Sequence, residues 1–289
     1  HKCIRDSILR DDTGRKLSKS LGNSPDPIEL FEKYGTDATR FSIMLMSPQG
    51  SDVYFSENGL EIGRNFMNKI WNASRFIMIN HEENFTDSLD KESLDIYDRW
   101  ILSKLDTTLE KVNIHYDNYQ FNEAIKVIYD FTWNEFCNWY IEIAKIKFNS
   151  SDKLEKNNAF LVSKEVLKKV LLILHPIAPF ITEEIWSYLK NDSDTDIIVS
   201  AWPTIGSNRL KYNENKVASL KEVVIAIRTI RSELNVAPTK KISASISVKN
   251  AADELLFNSL KSMIMSLTNL ESLDIEINLD KPEQSAVGI

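Results

Sequence analysis

Cysteine, glycine and long apolar runs are all scarce in this chain, and each scarcity removes a class of protein. Two cysteines among 289 residues, Cys3 and Cys137, cannot build a disulfide framework or a zinc knuckle. The thiols therefore read as reduced and the setting as cytoplasmic. The richest apolar stretch, VLLILHPIAPFI, is interrupted by His175, Pro176 and Pro179 well before membrane-spanning length. The N-terminal HKCIRDSILRDD is polar and has no small-residue cleavage site, so it does not read as a secretory signal. The net charge of -7 argues against a wholesale nucleic-acid coat while leaving local basic patches open. No Gly-x-x-x-x-Gly-Lys-Ser/Thr phosphate loop occurs, and there is no internal repeat or low-complexity tract.

What is present is organised in three parts. Residues 1–62 hold five of the eight glycines and form the loop-rich part. Within it, Pro25 and Pro27 bracket Asp26 and open a short helix, IELFEKYG, which Gly35 ends. A second short helix runs from Thr36 towards Pro48, and the turn-rich PQGSDVYFSENG follows. From Gly63 the pattern becomes one of long helices. Phe66, Ile70, Ala73 and Ile77 recur at helical spacing and predict a core face. A linker from His81 to Asp98 carries seven acids against one lysine and leads into a helix with Trp100, Leu105, Leu109 and Val112 on one side. Further helices are expected from about Tyr119 to Phe148, with Phe121, Ile125, Ile128, Phe136, Trp139 and Ile143 in register, then from about Asn158 to Leu174 and from Pro179. Long helices with short connections, over residues 63–203, predict an antiparallel bundle. Residues 204–289 change character again. Val217, Leu220, Val224, Ile227, Ile230 and Leu234 define one amphipathic helix, while ISASISV and LDIEINL alternate at strand period around another helix near 251–266. That is a small α/β unit with little sheet. The fold class is thus mainly α, and the absent initial Met and the ending KPEQSAVGI suggest a piece of a longer chain.

Two clusters offer chemistry. In GRKLSKSLGN, residues 14–23, Lys16 and Lys19 would supply charge to a polyphosphate while Ser18, Ser20 and loop amides donate hydrogen bonds. As composition alone this is an ordinary solvated loop. On the helix after Gly63, Asn65, Lys69, Asn72 and Phe76 are spaced 4, 3 and 4 and share one face beside the core stripe. Arg64, Lys69 and Arg75 meet no acid between residues 62 and 80. Such a face combines the cation, amide and aromatic groups that read single-stranded RNA loops, although an Asn-rich helix face is commonly just solvated. The aromatic group Tyr129, Phe131, Trp133, Phe136, Trp139 and Tyr140 reads as bundle core, Cys137 as a small buried hydrophobe, and His175 as a helix-end residue. The segment from Ile205 to Lys241 has eight basic residues against three acids, and fits a phosphate-touching surface and a plain outer helix face equally well.

The run KLSKSLGNSPDPIELFEKYGTDATRF resembles the signature of class I aminoacyl-tRNA synthetases, whose loop usually reads Lys-Met-Ser-Lys-Ser. Leu17 replaces Met, a volume-conserving change, and Thr39 stands where leucine is commoner. SPQGSDVYFSENG, GRNFMNKIWNASRF, WNEFCNWYIEIAK and HPIAPFITEEIW are similar to the valine branch, firmly over residues 1 to about 203 and loosely beyond. Isoleucine and leucine enzymes are the sibling alternatives, and a non-catalytic tRNA-binding module is a rival of another class. The resemblance implies an ATP-dependent ligase (ATP with Mg2+) acting on valine and tRNA(Val). Lys16 and Lys19 would neutralise the departing pyrophosphate, with Ser18 and Ser20 lining the same ATP loop. Lys69 and Phe76, and by motif alignment Ile141 and Glu142, would face the anticodon beside Asn65 and Asn72. No metal ligand is expected. The family's His-x-Gly-His motif does not occur, the four histidines being His1, His81, His115 and His175, so this stretch is expected to be inactive alone.

Overall fold

The computed structural model describes residues 8–48, 50–86, 88–191, 194–207, 211–279 and 285–287. The chain divides into two compact units, His1–Leu94 with Ile101–Arg209 and Asp95–Trp100 with Leu210–Ile289. The structure is mostly helical, as the sequence pattern requires.

The first unit opens with two short parallel strands, β1 (Leu9–Arg10) and β2 (Val53–Tyr54). Helix α1 (Pro27–Tyr34) starts where Pro27 suits a first turn and the Asp26 carboxylate accepts from the Ile28 amide at 2.9 Å. Helix α2 (Thr36–Leu45) follows at once, turning at Gly35 with φ 93°, a value that disfavours any side chain. Helix α3 spans Glu57–Ile79, so it begins before the expected Gly63 and keeps both Gly59 and Gly63 inside the helix. The physical reason is close packing. A Cβ at Gly63 would lie 2.2 Å from the Ala38 carbonyl oxygen and 2.4 Å from the Ser42 Oγ of α2. The Gly63 amide donates to that hydroxyl at 3.0 Å.

Helices α4 (Ile96–Asp117), α5 (Phe121–Asp130), α6 (Ile141–Phe148), α7 (Lys153–Leu174) and α8 (Pro179–Leu189) complete the bundle. Between α5 and α6 the chain stays helical but is π-bonded from Phe131 to Tyr140, which the periodicity did not foresee. Helix α7 starts earlier than expected because Asp152 caps it, accepting from the Leu154 amide at 2.8 Å. The expected core stripe of α3 is buried, as are Leu105, Leu109 and Val112 of α4. Of the expected register after Tyr119, Phe121 is exposed and Trp139 only half-buried. Helix α2 is tied to the α7–α8 turn. The Asp37 carboxylate accepts from the Ile181 amide at 2.6 Å and Arg40 donates to the Ile177 carbonyl at 2.9 Å.

The second unit contains α9 (Lys211–Glu233), β3 (Ile242–Val248), α10 (Ala251–Thr268) and β4 (Leu270–Ile277). The strands are parallel, with Ile246 opposite Ile275, so α10 is the crossover that a parallel pair needs. Strand β3 alternates inward Ile242, Ala244, Ile246 and Val248 with exposed serines. The α9 stripe is buried from Val217 to Ile227, but Leu234 lies past the helix end and is exposed. Buried Arg231 donates to the carbonyls of Ala237, Lys240 and Asn269 and so fixes the loop into β3.

Candidate functional site

The lysine–serine loop is built as a stapled turn. Arg10 and Lys16 form an antiparallel bridge, the Asp11 amide donates to the Arg15 carbonyl at 2.8 Å, and Gly14 turns the chain at φ 84°. The Asp11 carboxylate collects the Thr13 hydroxyl at 2.6 Å, the Asn23 side-chain amide at 2.8 Å and the Arg15 amide at 2.8 Å. These donors, the Thr13 hydroxyl foremost, hold its pKa well below the usual carboxylate range. Asn23 is the second staple, since its Oδ1 accepts from the Ser18 amide at 2.9 Å and its Nδ2 donates to the Lys16 carbonyl at 3.2 Å. Residues Lys19–Leu21 make a 3-10 turn that Gly22 ends at φ 67°. The Ser18 and Ser20 hydroxyls are 2.8 Å apart. Lys16 and Lys19 are exposed, and neither ammonium meets an acid among the described residues. The loop thus presents two uncompensated cations and two hydroxyls on a backbone held by Asp11 and Asn23. Those two staples were not singled out from sequence; the Asp-Asp-Thr-Gly turn was the available signal.

The second site lies along α3. Asn65 and Asn72 are exposed, while Lys69 and Phe76 are half-buried, so the four share a face as the spacing requires. The Lys69 ammonium sits 5.3 Å from the centroid of the Trp133 ring. Phe76 does not stand free: it packs edge-on against Phe148, centroids 5.7 Å apart, with the Lys145 ammonium 5.8 Å from its ring. Lys145 in turn pairs with Glu142 at 2.6 Å. Ile141 is 5% exposed and belongs to the core, so its side chain is not offered to a ligand. Arg64 does meet an acid just outside the window read from sequence, Glu61 at 3.5 Å. The pair at these exposures contributes little and leaves the face basic. Sequence reading missed Lys145, signalled only by its place three residues after Glu142, and it placed Trp133 in the core, where the structure leaves it half-buried.

The groups read as inert behave so. Burial pushes the Cys137 thiol up to about 12, with the Lys69 charge the opposing influence. His175 ends α7, its Nδ1 2.7 Å from the Thr182 hydroxyl. Among the described residues no His, Cys, Asp and Glu cluster could hold a metal ion. Among the described residues no helix is long and apolar enough to cross a membrane. Of the basic segment from Ile205, Arg209 and the Lys211 side chain lie outside the described residues, as do His1 and Cys3.

Comparison with known proteins places the chain in a family. Residues 98–248 match the anticodon-binding domain of tRNA ligases, and residues 1–56 match class I tRNA synthetases of the isoleucine, leucine, methionine and valine group. The chain is 40% identical over 288 residues to the valine–tRNA ligase of Fusobacterium nucleatum, covering 98% of this chain and 32% of that protein. It is 37% identical over 287 residues to that of Bacillus thuringiensis, with coverage of 98% and 32%, and 37% identical over 281 residues to that of Aquifex aeolicus, with coverage of 93% and 24%. It therefore spans about a third, or less, of the length of these relatives. A solved structure, the Agrobacterium radiobacter leucyl-tRNA synthetase with tRNA and a leucyl-adenylate analogue, shares the fold at a TM-score of 0.56 and 18% identity, covering 95% of this chain and 32% of that one. With more than half of its length, residues 98–248, matched, this chain belongs to the anticodon-binding-domain family of tRNA ligases, within the class I synthetases.

Proposed function

We propose that this chain is the part of a valine–tRNA ligase that holds the anticodon end of tRNA(Val) and carries the loop that handles the pyrophosphate of ATP. We further read it in three functional parts: residues 1–62 as the end of the catalytic domain, 63–203 as the anticodon-binding bundle and 204–289 as a small α/β junction. The observation that supports this most is the pairing, in one unit, of a stapled loop with two uncompensated lysines and a helix face of cation, amides and aromatic ring.

The reaction is activation followed by transfer. The valine carboxylate attacks the α-phosphorus of ATP, the bond from that phosphorus to the α,β-bridging oxygen breaks, and pyrophosphate leaves with that oxygen. The adenylate is then attacked by a terminal ribose hydroxyl of tRNA, which displaces AMP. Charge grows on the pyrophosphate oxygens as the bond breaks, so Lys16 and Lys19 act mainly in the transition state. Ser18 and Ser20, with hydroxyls in contact, orient the same phosphates. Magnesium would arrive on the polyphosphate itself. The setting is cytoplasmic, where tRNA charging takes place.

At the other end, Lys69 and the two asparagines offer donors and acceptors to base edges. Phe76, held edge-on by Phe148, offers its remaining surface to a base. Removing a stacked ring costs about 1–3 kcal/mol per base. In binding assays with this chain, Phe76→Ala is expected to weaken tRNA(Val) by that order and barely change binding of a tRNA with a foreign anticodon. Equal losses on both, or a melting temperature that falls with no change in discrimination, would return Phe76 to the core and remove the anticodon assignment.

A further inference from the structure

Trp133 has an unusual position. It lies in the π-bonded stretch Phe131–Tyr140, a helix form that is rare and often found at functional sites. The i→i+5 bonding changes which residues share a face, and in this stretch Trp133 is half-buried and lies against Lys69 of the α3 stripe. Its ring stacks on Tyr129, centroids 5.6 Å apart and planes 19° from parallel. Tyr129 rests on Phe66 at 5.0 Å, and Phe66 on Phe41 at 4.7 Å. The Trp133 ring is thus anchored through a column of aromatics to α2 and α3. The Lys69 ammonium lies over the same ring at 5.3 Å. With Tyr129 and Lys69 both against the ring, Trp133 is poorly placed to stack a base itself, but well placed to hold a cation.

We propose that Trp133 is a positioning residue for anticodon recognition, and that its indole face seats the Lys69 ammonium where that cation meets a base edge. The proposal rests on the anticodon reading of the α3 face. A lysine carries a flexible four-carbon stem, whose rotamer freedom a reading cation must lose on binding. An aromatic seat restricts that freedom beforehand, and among aromatic faces indole attracts a cation most strongly. The sequence hid this role, because Trp133 sits among aromatics that α-periodicity assigns to the core.

The test uses this 289-residue chain and two labelled anticodon stem–loop RNAs, one with a valine anticodon and one with a foreign anticodon. The quantity read is the dissociation constant of the foreign stem–loop divided by that of the valine stem–loop, with a thermal melt beside each variant. Trp133→Leu is expected to lower the ratio roughly two- to thirty-fold, the range a cation–π contact spans. On a Lys69→Met background the same change is expected to do nothing further, because Trp133 acts through Lys69. An unchanged ratio in Trp133→Leu beside a lowered one in Lys69→Met overturns the positioning role and leaves the anticodon reading intact. Additive losses in the double variant also overturn it, since Trp133 would then touch RNA directly. An unchanged ratio in Lys69→Met removes the anticodon reading and this proposal together. If Trp133→Leu does not fold, Trp133→Phe decides, because phenylalanine keeps a ring on Tyr129 with a weaker cation-attracting face. A ratio between wild type and Lys69→Met supports the role, and a wild-type ratio overturns it.

Discussion

Single side chains in this chain do work that their type alone does not reveal. Asp37 is 7% exposed, accepts from the Ile181 amide, and leaves its other oxygen without a protein partner. Burial raises its pKa above the ordinary carboxylate value, against the pull of the Ile181 and Phe180 amides. The folded chain therefore binds this proton more tightly than the unfolded chain, and stability contributed here falls as pH rises through the window just above the ordinary value. Asp37→Ala removes a helix cap and is expected to cost about 1–2 kcal/mol at neutral pH by urea unfolding. Asp37→Asn keeps an acceptor and sheds the buried charge, so it is expected to cost less. The cost of Asn relative to Asp should grow as pH is lowered towards the ordinary carboxylate value, and a cost that shrinks instead would contradict the raised pKa. Lys19 makes the opposite case, an exposed residue to which the proposed function assigns a ligand. In the full-length ligase, Lys19→Ala is expected to slow adenylate formation by about 2–4 kcal/mol of barrier, the range for one lost transition-state donor. Its effect on valine KM should be small, and a variant with normal kcat and only a raised KM would contradict a role at the pyrophosphate.

At the scale of elements, the α2–α3 crossing is the most exacting contact. By helix propensity, Gly63→Ala should stabilise α3 by up to about 1 kcal/mol. Packing opposes it, because the added methyl would meet the Ala38 carbonyl oxygen at 2.2 Å and that oxygen belongs to backbone. Overpacking costs about 1–3 kcal/mol, so the packing effect wins and the variant is expected to be destabilised in chemical unfolding. A more stable variant would show that the two helices can part freely. The same crossing explains why the start of α3 was misread. Two glycines and a turn-rich approach read locally as loop, and only the neighbouring helix supplies the reason for glycine inside a helix. The π-bonded stretch was equally illegible, since a run of aromatics satisfies a core pattern under either helix form. By contrast, α1, α8 and the β3–α10–β4 order followed from proline positions, capping residues and strict alternation.

For the molecule as a whole, the proposed reading has both sites serve one reaction, while the chain spans about a third, or less, of the length of its relatives. It lacks the His-x-Gly-His motif of class I synthetases, which is expected to contact the nucleotide. Valine-dependent pyrophosphate exchange by this chain is therefore expected to stay at the level of a Lys19→Ala control. Exchange above that control would mean that the loop region holds ATP and valine unaided. The net charge of -7 keeps general RNA affinity low, so phosphate contacts here depend on locally clustered cations.

Much of this was already written in the order of residues. Spacing of apolar side chains determined the helical class, because burying one face of a helix requires that period. The lysine–serine loop was visible as a cluster of consecutive residues, though by composition alone it is an ordinary solvated loop, and the Asn65, Lys69, Asn72 and Phe76 face was legible because helix geometry alone aligns it. Tertiary packing decided the rest. It took Ile141 into the core and set Phe76 against Phe148. It tied the loop through Asp11 and Asn23, twelve residues apart, and brought Trp133 beneath Lys69, sixty-four positions away in sequence. Such contacts join segments that no local period relates, so they exist only once the helices have packed.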